Sequence, residues 1–167
     1  LAIANGRVRI GPVPEGCELE GAWAQLAEAN SLLIADGARF TDEKERALAL
    51  TGPLLVDRCV LQGDLDGDGD VDLVVTGNEN AARVLRNDAP RQGDWVTIDP
   101  RAREGGATSI GVQVKLTAPD FELTRTTCAS DGYQSSRDPR AHFGVPVSGA
   151  ATEVDVELRW PDGLRER

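Results

Sequence analysis

The sequence predicts an all-β chain in two parts, residues 1–90 and 91–167, and three observations carry that prediction. Val112-Gln113-Val114-Lys115-Leu116 and Val154-Asp155-Val156-Glu157-Leu158-Arg159-Trp160 alternate apolar and polar residues, the period of a strand with one face buried and one in water. Leu54 to Leu61 and Leu73 to Val75 are apolar, strand-like runs without a helical repeat, and they flank a glycine-rich turn. Short strand motifs also recur along the first half, as they do in chains built from stacked β-units.

The recurrence sets the order of the first part. Leu33-Ile34-Ala35-Asp36-Gly37 resembles Leu85-Arg86-Asn87-Asp88-Ala89, and Leu1-Ala2-Ile3-Ala4-Asn5-Gly6 resembles Leu73-Val74-Val75-Thr76-Gly77-Asn78. The connection from Arg7 to Ser31 is longer than its counterpart from Glu79 to Arg83; it holds Pro12, Pro14 and Gly16, then a short helix expected around Ala22 to Ala29. Thr41-Asp42-Glu43 reads as a helix start with acids in the first turn. Stacked units of this kind point to partial β-propeller blades. A closed ring needs at least about four blades, so residues 1–90 are expected to be the end of a longer array, cut within a strand at Leu1. No targeting segment is visible at that start.

The turn between the two apolar runs is Gly63-Asp64-Leu65-Asp66-Gly67-Asp68-Gly69-Asp70-Val71-Asp72. Alternate carboxylates in a tight glycine loop fold inward around one point, and such crowding of like charge calls for a cation. Hard oxygen donors in a flexible loop favour Ca2+, which accepts roughly 6–8 oxygens, over Mg2+, which holds a stricter octahedron and keeps its waters. Against the EF-hand loop, Asp64, Asp66 and Asp68 take positions 1, 3 and 5. Gly69 takes the sharp turn at position 6, Asp70 offers its carbonyl at position 7, and Asp72 stands at position 9. Position 12 is Val75 in place of a bidentate Glu, so Asp72 closes the loop and a strand follows instead of a helix. The expected metal residues are therefore Asp64, Asp66, Asp68, Asp70 and Asp72. The alternatives are a solvated acidic turn and a glycine-rich phosphate cradle, the second opposed by the aspartates themselves.

Charge and composition narrow the rest. The chain has 167 residues, a net charge of −10 and a pI near 4.6, which argues against nucleic acid or an anionic membrane surface as partner. Half of that net charge is the five aspartates of the loop. No apolar run reaches the roughly 18–20 residues of a membrane span. Cys17, Cys59 and Cys128 match no zinc spacing; one disulfide plus a free thiol and three buried thiols are both open.

From Asp94 onward, after the polar turn Pro90-Arg91-Gln92-Gly93, the strand patterns describe a small antiparallel β-sandwich or barrel. Trp95-Val96-Thr97-Ile98 and Phe121-Glu122-Leu123 supply further strands, and Pro161-Asp162-Gly163 is a turn ending the last long one. Trp95, Phe143 and Trp160 are expected in the core. His142 is the single histidine, which excludes a histidine-rich metal centre. Ser135, Ser136 and Asp138 lie nearby without a nucleophile elbow or oxyanion glycines, so His142 is read as a turn histidine bonded to backbone near Phe143. Carboxylate pairs for glycoside hydrolysis are claimed by the metal loop, and carboxylate-bound calcium is a poor Lewis acid beside zinc. No catalysis is expected.

Two resemblances extend this reading. Asp64 to Val75, preceded by Asn30-Ser31-Leu32-Leu33 and Asp36-Gly37-Ala38-Arg39-Phe40-Thr41-Asp42, resembles an FG-GAP/VCBS repeat; Val84 to Asp88 resembles the start of the next. That resemblance implies a calcium-containing β-propeller of the integrin-α type. Ile110-Gly111-Val112-Gln113-Val114, Asp131-Gly132-Tyr133-Gln134-Ser135, His142-Phe143-Gly144 and Trp160-Pro161-Asp162-Gly163 resemble, in that order, the ASPIC/UnbV domain. This domain follows FG-GAP/VCBS repeats in secreted bacterial proteins and in the cartilage acidic protein family. The departures are Gly111-Val112 for the family's Gly-Ala, Val145-Pro146 after His142-Phe143-Gly144, and Asp162 in the Trp-Pro turn.

Together these features predict a non-catalytic, secreted, cell-surface or periplasmic calcium module for adhesion or recognition of a protein or glycan ligand, without nucleic-acid binding or membrane insertion. Calcium would act structurally, with the Kd of about 10⁻⁴–10⁻³ M typical of extracellular modules. The alternative is an accessory region of a secreted enzyme whose catalytic part lies upstream of Leu1. A cohesin-binding, dockerin-like module is opposed by the strand at Leu73-Val74-Val75.

Overall fold

The computed structural model describes residues 1–90, 93–102, 105–130, 132, 135–146 and 153–167. Among these the chain is all-β, with antiparallel sheets and two helices of a single turn. It divides into two units. The first comprises Leu1–Gln62, Asp72–Asn87 and Gly132–Ser135; the second comprises Gly63–Val71, Asp88–Asp131 and Ser136–Arg167. Arg91 and Gln92, at the sequence-predicted boundary, lie outside the described residues, as do Asp131, Tyr133 and Gln134 of the ASPIC/UnbV-like string.

The first unit holds two sheets. Strands β1 (Ala2–Ile3), β3 (Ser31–Asp36) and β4 (Arg39–Asp42) form one, in the order β1-β3-β4. Strands β2 (Glu28–Ala29), β5 (Leu54–Gly63), β6 (Asp72–Asn78) and β7 (Arg83–Leu85) form the other, in the order β2-β5-β6-β7. The internal repeat is visible in the register. Leu73 faces Leu85 across β6 and β7, and Leu1 exchanges backbone hydrogen bonds with Leu33 next to the β1–β3 pair (N to O 2.7 and 2.8 Å). These are the positions the two motifs align.

The expected helix around Ala22 to Ala29 is a single turn, α1 (Gly21–Ala24), and Glu28 and Ala29 instead pair with Leu55 and Leu54. The expected helix start at Thr41 is also displaced: Thr41 and Asp42 finish β4, a 3₁₀ turn follows over Lys44–Ala47, and α2 covers Leu48–Thr51. In both places strand pairing overrides local propensity.

Val56, Leu50, Ala27 and Val75 are buried in this unit, together with a polar group. The Asp57 carboxylate, 1% exposed, accepts Asn30 Nδ2 (2.6 Å), Asn80 Nδ2 (3.2 Å) and Arg83 Nη2 (2.5 Å). Asn30 also accepts the Asn5 N–H (2.7 Å) and donates to the Leu50 carbonyl (3.2 Å). A charge on a buried strand is thus matched by a cation and two amides, as burial requires.

The second unit is a two-sheet sandwich. Strands β8 (Gly93–Ile98) and β11 (Ala141–Pro146) pair with each other. The second sheet runs β10-β9-β12-β13, with β9 at Gln113–Ala118, β10 at Phe121–Thr126, β12 at Asp155–Arg159 and β13 at Arg165–Glu166. Among the described residues no sheet closes on itself, which excludes the barrel alternative there. The core is Val112, Val114, Leu116, Ala141 and Phe143, with Val96, Ile98, Leu123, Val156, Leu158 and Trp160 packed on it. The Pro161-Asp162-Gly163 turn is formed, with Gly163 N–H donating to the Trp160 carbonyl (2.9 Å).

Of the three expected core aromatics, Phe143 is fully buried and Trp160 partly so, while Trp95 is 39% exposed. Strand alternation is the reason: Val96 and Ile98 face the core, so Trp95 and Thr97 face away.

Candidate metal-binding loop

The loop joins β5 to β6, neighbours in one sheet. Gly67 (φ 80°) and Gly69 (φ 93°) occupy the left-handed region, where a side chain is strained, and they turn the chain through the acidic stretch. The aspartates then bond to the loop's own backbone. Asp64 accepts the N–H groups of Gly67 (2.8 Å) and Gly69 (3.0 Å), Asp66 that of Asp68 (3.3 Å), and Asp68 that of Asp70 (2.9 Å). These are the local side-chain turns that aspartate favours over regular structure.

Three of the five sequence-predicted residues are brought together. Carboxylate oxygens of Asp64, Asp66 and Asp72 lie within 4.8 Å of one another. Asp66 is exposed, Asp64 half-buried and Asp72 2% exposed. Asp72 is the first residue of β6 and accepts the Asn87 N–H (2.8 Å), which ties the end of the loop to the chain beyond β7. The Asp68 and Asp70 carboxylates are not part of this grouping; Asp68 instead caps the backbone N–H two residues on. The donor set is all oxygen and all anionic, and that chemistry fits a hard divalent cation.

Sequence reasoning missed three neighbours. The backbone at Gly69 lies against Trp95: a Cβ placed on Gly69 would fall 1.8 Å from Trp95 Cδ1. Trp95 stacks on His142, with ring centroids 5.9 Å apart. His142 is therefore not the expected turn residue bonded to backbone: it belongs to β11, and its Nδ1 is 3.0 Å from Thr97 Oγ1. Arg140 pairs with Asp138, whose hydrogen bonds, followed by its charge, hold the guanidinium further above its ordinary range; the charges of Asp99 and Asp64 add to this. Strand alternation was the signal available for Trp95 and His142. None was available for Arg140.

Ser135 donates to Cys59 Sγ (3.0 Å), and Cys17, Cys59 and Cys128 are free thiols. No helix among the described residues is long and apolar enough to cross a membrane.

Residues 103–167 match the family model described as ASPIC and UnbV. Over 103 residues, 60% of this chain, the sequence is 32% identical to cartilage acidic protein 1 of Homo sapiens and 32% identical to that of Mus musculus. The Xenopus tropicalis protein of the same name is 31% identical over the same length. The aligned region spans 15–16% of these relatives.

Proposed function

We propose that this chain is a non-catalytic calcium-binding module of a secreted or surface-exposed protein. It serves adhesion or recognition of a protein or glycan, with calcium stiffening the hairpin of β5 and β6. One observation carries the reading: three carboxylates from a ten-residue stretch share a space less than 5 Å across, one of them buried. Without a cation each pair repels; with one, the same geometry becomes a ligand set.

The four-stranded order β2-β5-β6-β7 and the shared Leu1–Leu33 and Leu73–Leu85 register support a second element of the reading. Residues 1–90 are then FG-GAP/VCBS-like blades of a propeller. Similarity to cartilage acidic protein 1 supports an extracellular setting, where millimolar calcium keeps even a weak site loaded. The ion would be held by Asp64, Asp66 and Asp72, completed by loop carbonyls or water, and would supply charge neutralisation and rigidity.

Thermal unfolding in calcium, magnesium and chelator tests this. Calcium at tenfold its Kd adds about 1.4 kcal/mol of stability, and magnesium adds less. Equal midpoints in calcium and chelator would refute the reading.

A further inference from the structure

We propose that Trp95 is a positioning residue for the acidic loop: its indole seats the loop at Gly69 and thereby sets where the Asp64 carboxylate stands. The inference deepens the calcium reading and rests on it for its effect on affinity, but the seating itself is a property of the chain without metal.

The second unit contains a continuous series of contacts. Thr97 Oγ1 and His142 Nδ1 are 3.0 Å apart, and the two residues face each other in the β8–β11 register. The His142 ring stacks on Trp95 with centroids 5.9 Å apart and planes inclined by 24°, and that separation is within the range that favours aromatic pairs. Trp95 meets the buried backbone of Gly69 so closely that a Cβ there would fall 1.8 Å from Cδ1, 2.0 Å from Nε1 and 2.3 Å from Cγ. The Gly69 N–H, in turn, donates to Asp64 Oδ2 (3.0 Å). Displacing Gly69 therefore displaces a carboxylate of the cluster. Gly67 is the internal control: its φ is also positive, at 80°, yet a Cβ there would meet nothing within 4 Å.

The experiment compares Gly67→Ala and Gly69→Ala, each alone and combined with Trp95→Ala or Trp95→Phe, in the full chain. Both alanines carry the strain of a positive φ; Gly69→Ala alone also meets the indole. In chelator, Gly69→Ala is expected to lower the melting midpoint more than Gly67→Ala, and the excess is expected to vanish in the Trp95→Ala background. Trp95→Ala should also speed hydrogen exchange at the Gly69 amide in chelator and weaken calcium binding by calorimetry about tenfold, as loss of a supporting partner does. Trp95→Phe, which keeps a ring in place, should retain most of both.

An excess that persists in the Trp95→Ala background, or unchanged Gly69 exchange, would overturn the proposal. If the wild-type chain binds no calcium while the exchange and the alanine comparison behave as expected, the seating stands and the calcium reading falls.

Discussion

Asp66→Asn isolates the charge of the loop from its shape, because an asparagine carbonyl can still accept the Asp68 N–H that Asp66 accepts. Asp66 has two carboxylate neighbours within 4.8 Å, Asp64 and Asp72. A pair of unit charges at that distance repels by about 0.9 kcal/mol in water and about 3.5 kcal/mol at an effective dielectric of 20. Asp66 is exposed, so the lower figure applies, and its two pairs amount to about 2 kcal/mol at low salt. Physiological salt, with a Debye length of about 8 Å, reduces this to about 1 kcal/mol.

The substitution should therefore stabilise the metal-free protein, raising its midpoint by about 2–4 °C for a chain of this size. Calcium should reverse the advantage. If losing one ligand charge weakens binding about tenfold, calcium at ten times the wild-type Kd adds about 1.4 kcal/mol to the wild type and about 0.4 kcal/mol to the variant. The two stabilities then meet, and the wild type leads at higher calcium. Differential scanning fluorimetry across a calcium titration measures both curves. A variant less stable than wild type in chelator, or a constant offset at every calcium concentration, would refute the electrostatic reasoning.

Other features predict separate outcomes. Asp57→Ala leaves the Arg83 guanidinium and two amides without their shared acceptor and should cost about 3–5 kcal/mol in urea unfolding. Adding Arg83→Leu to Asp57→Leu should recover most of the loss, whereas an Asp57→Ala effect below about 1 kcal/mol would show that the pair is not a buried one. Phe143→Ala empties the centre of the sandwich and should cost about 3–5 kcal/mol, read in the same assay. Hydrogen bonding to Arg140 holds the Asp138 carboxyl below its ordinary range, against the opposing effect of burial. The stability it contributes is therefore complete above about pH 4 and is lost as the pH falls through the lowered folded value. Melting curves from about pH 5 downward should show less acid sensitivity in Arg140→Leu than in wild type.

The loop was legible as a turn because its glycines and aspartates interrupt two apolar runs, and its flanking strands because those runs are β-branched and lack a helical repeat. The strands β9 and β12 were legible from strict alternation. The short helix and Trp95 were misread for different reasons. Residues 22–29 have helix-forming composition, but Glu28 and Ala29 gain ladder bonds with Leu55 and Leu54, and no local signal announces partners 27 and 25 residues away. Trp95 was placed inside by its size alone. Alternation already set Val96 and Ile98 on one face and Trp95 and Thr97 on the other, as it set Ala141 and Phe143 against His142. Asp57 was also readable: an acid in the middle of an apolar strand must find a cation or amides.

Asp57 and Asp72 bracket the hairpin, and their contrast bears on the metal. Both are nearly inaccessible, at 1% and 2% exposure. Around Asp57 the sequence supplies a guanidinium and two side-chain amides, the treatment a buried carboxylate ordinarily requires. The neighbours of Asp72 include a backbone N–H and two further carboxylates within 4.8 Å. Adding anions beside a buried anion raises its energy in water and in protein alike, and a divalent cation held among them would offset that repulsion. The three carboxylates at the head of this hairpin are the donors that the proposed calcium ion would share, and its binding would order the turn.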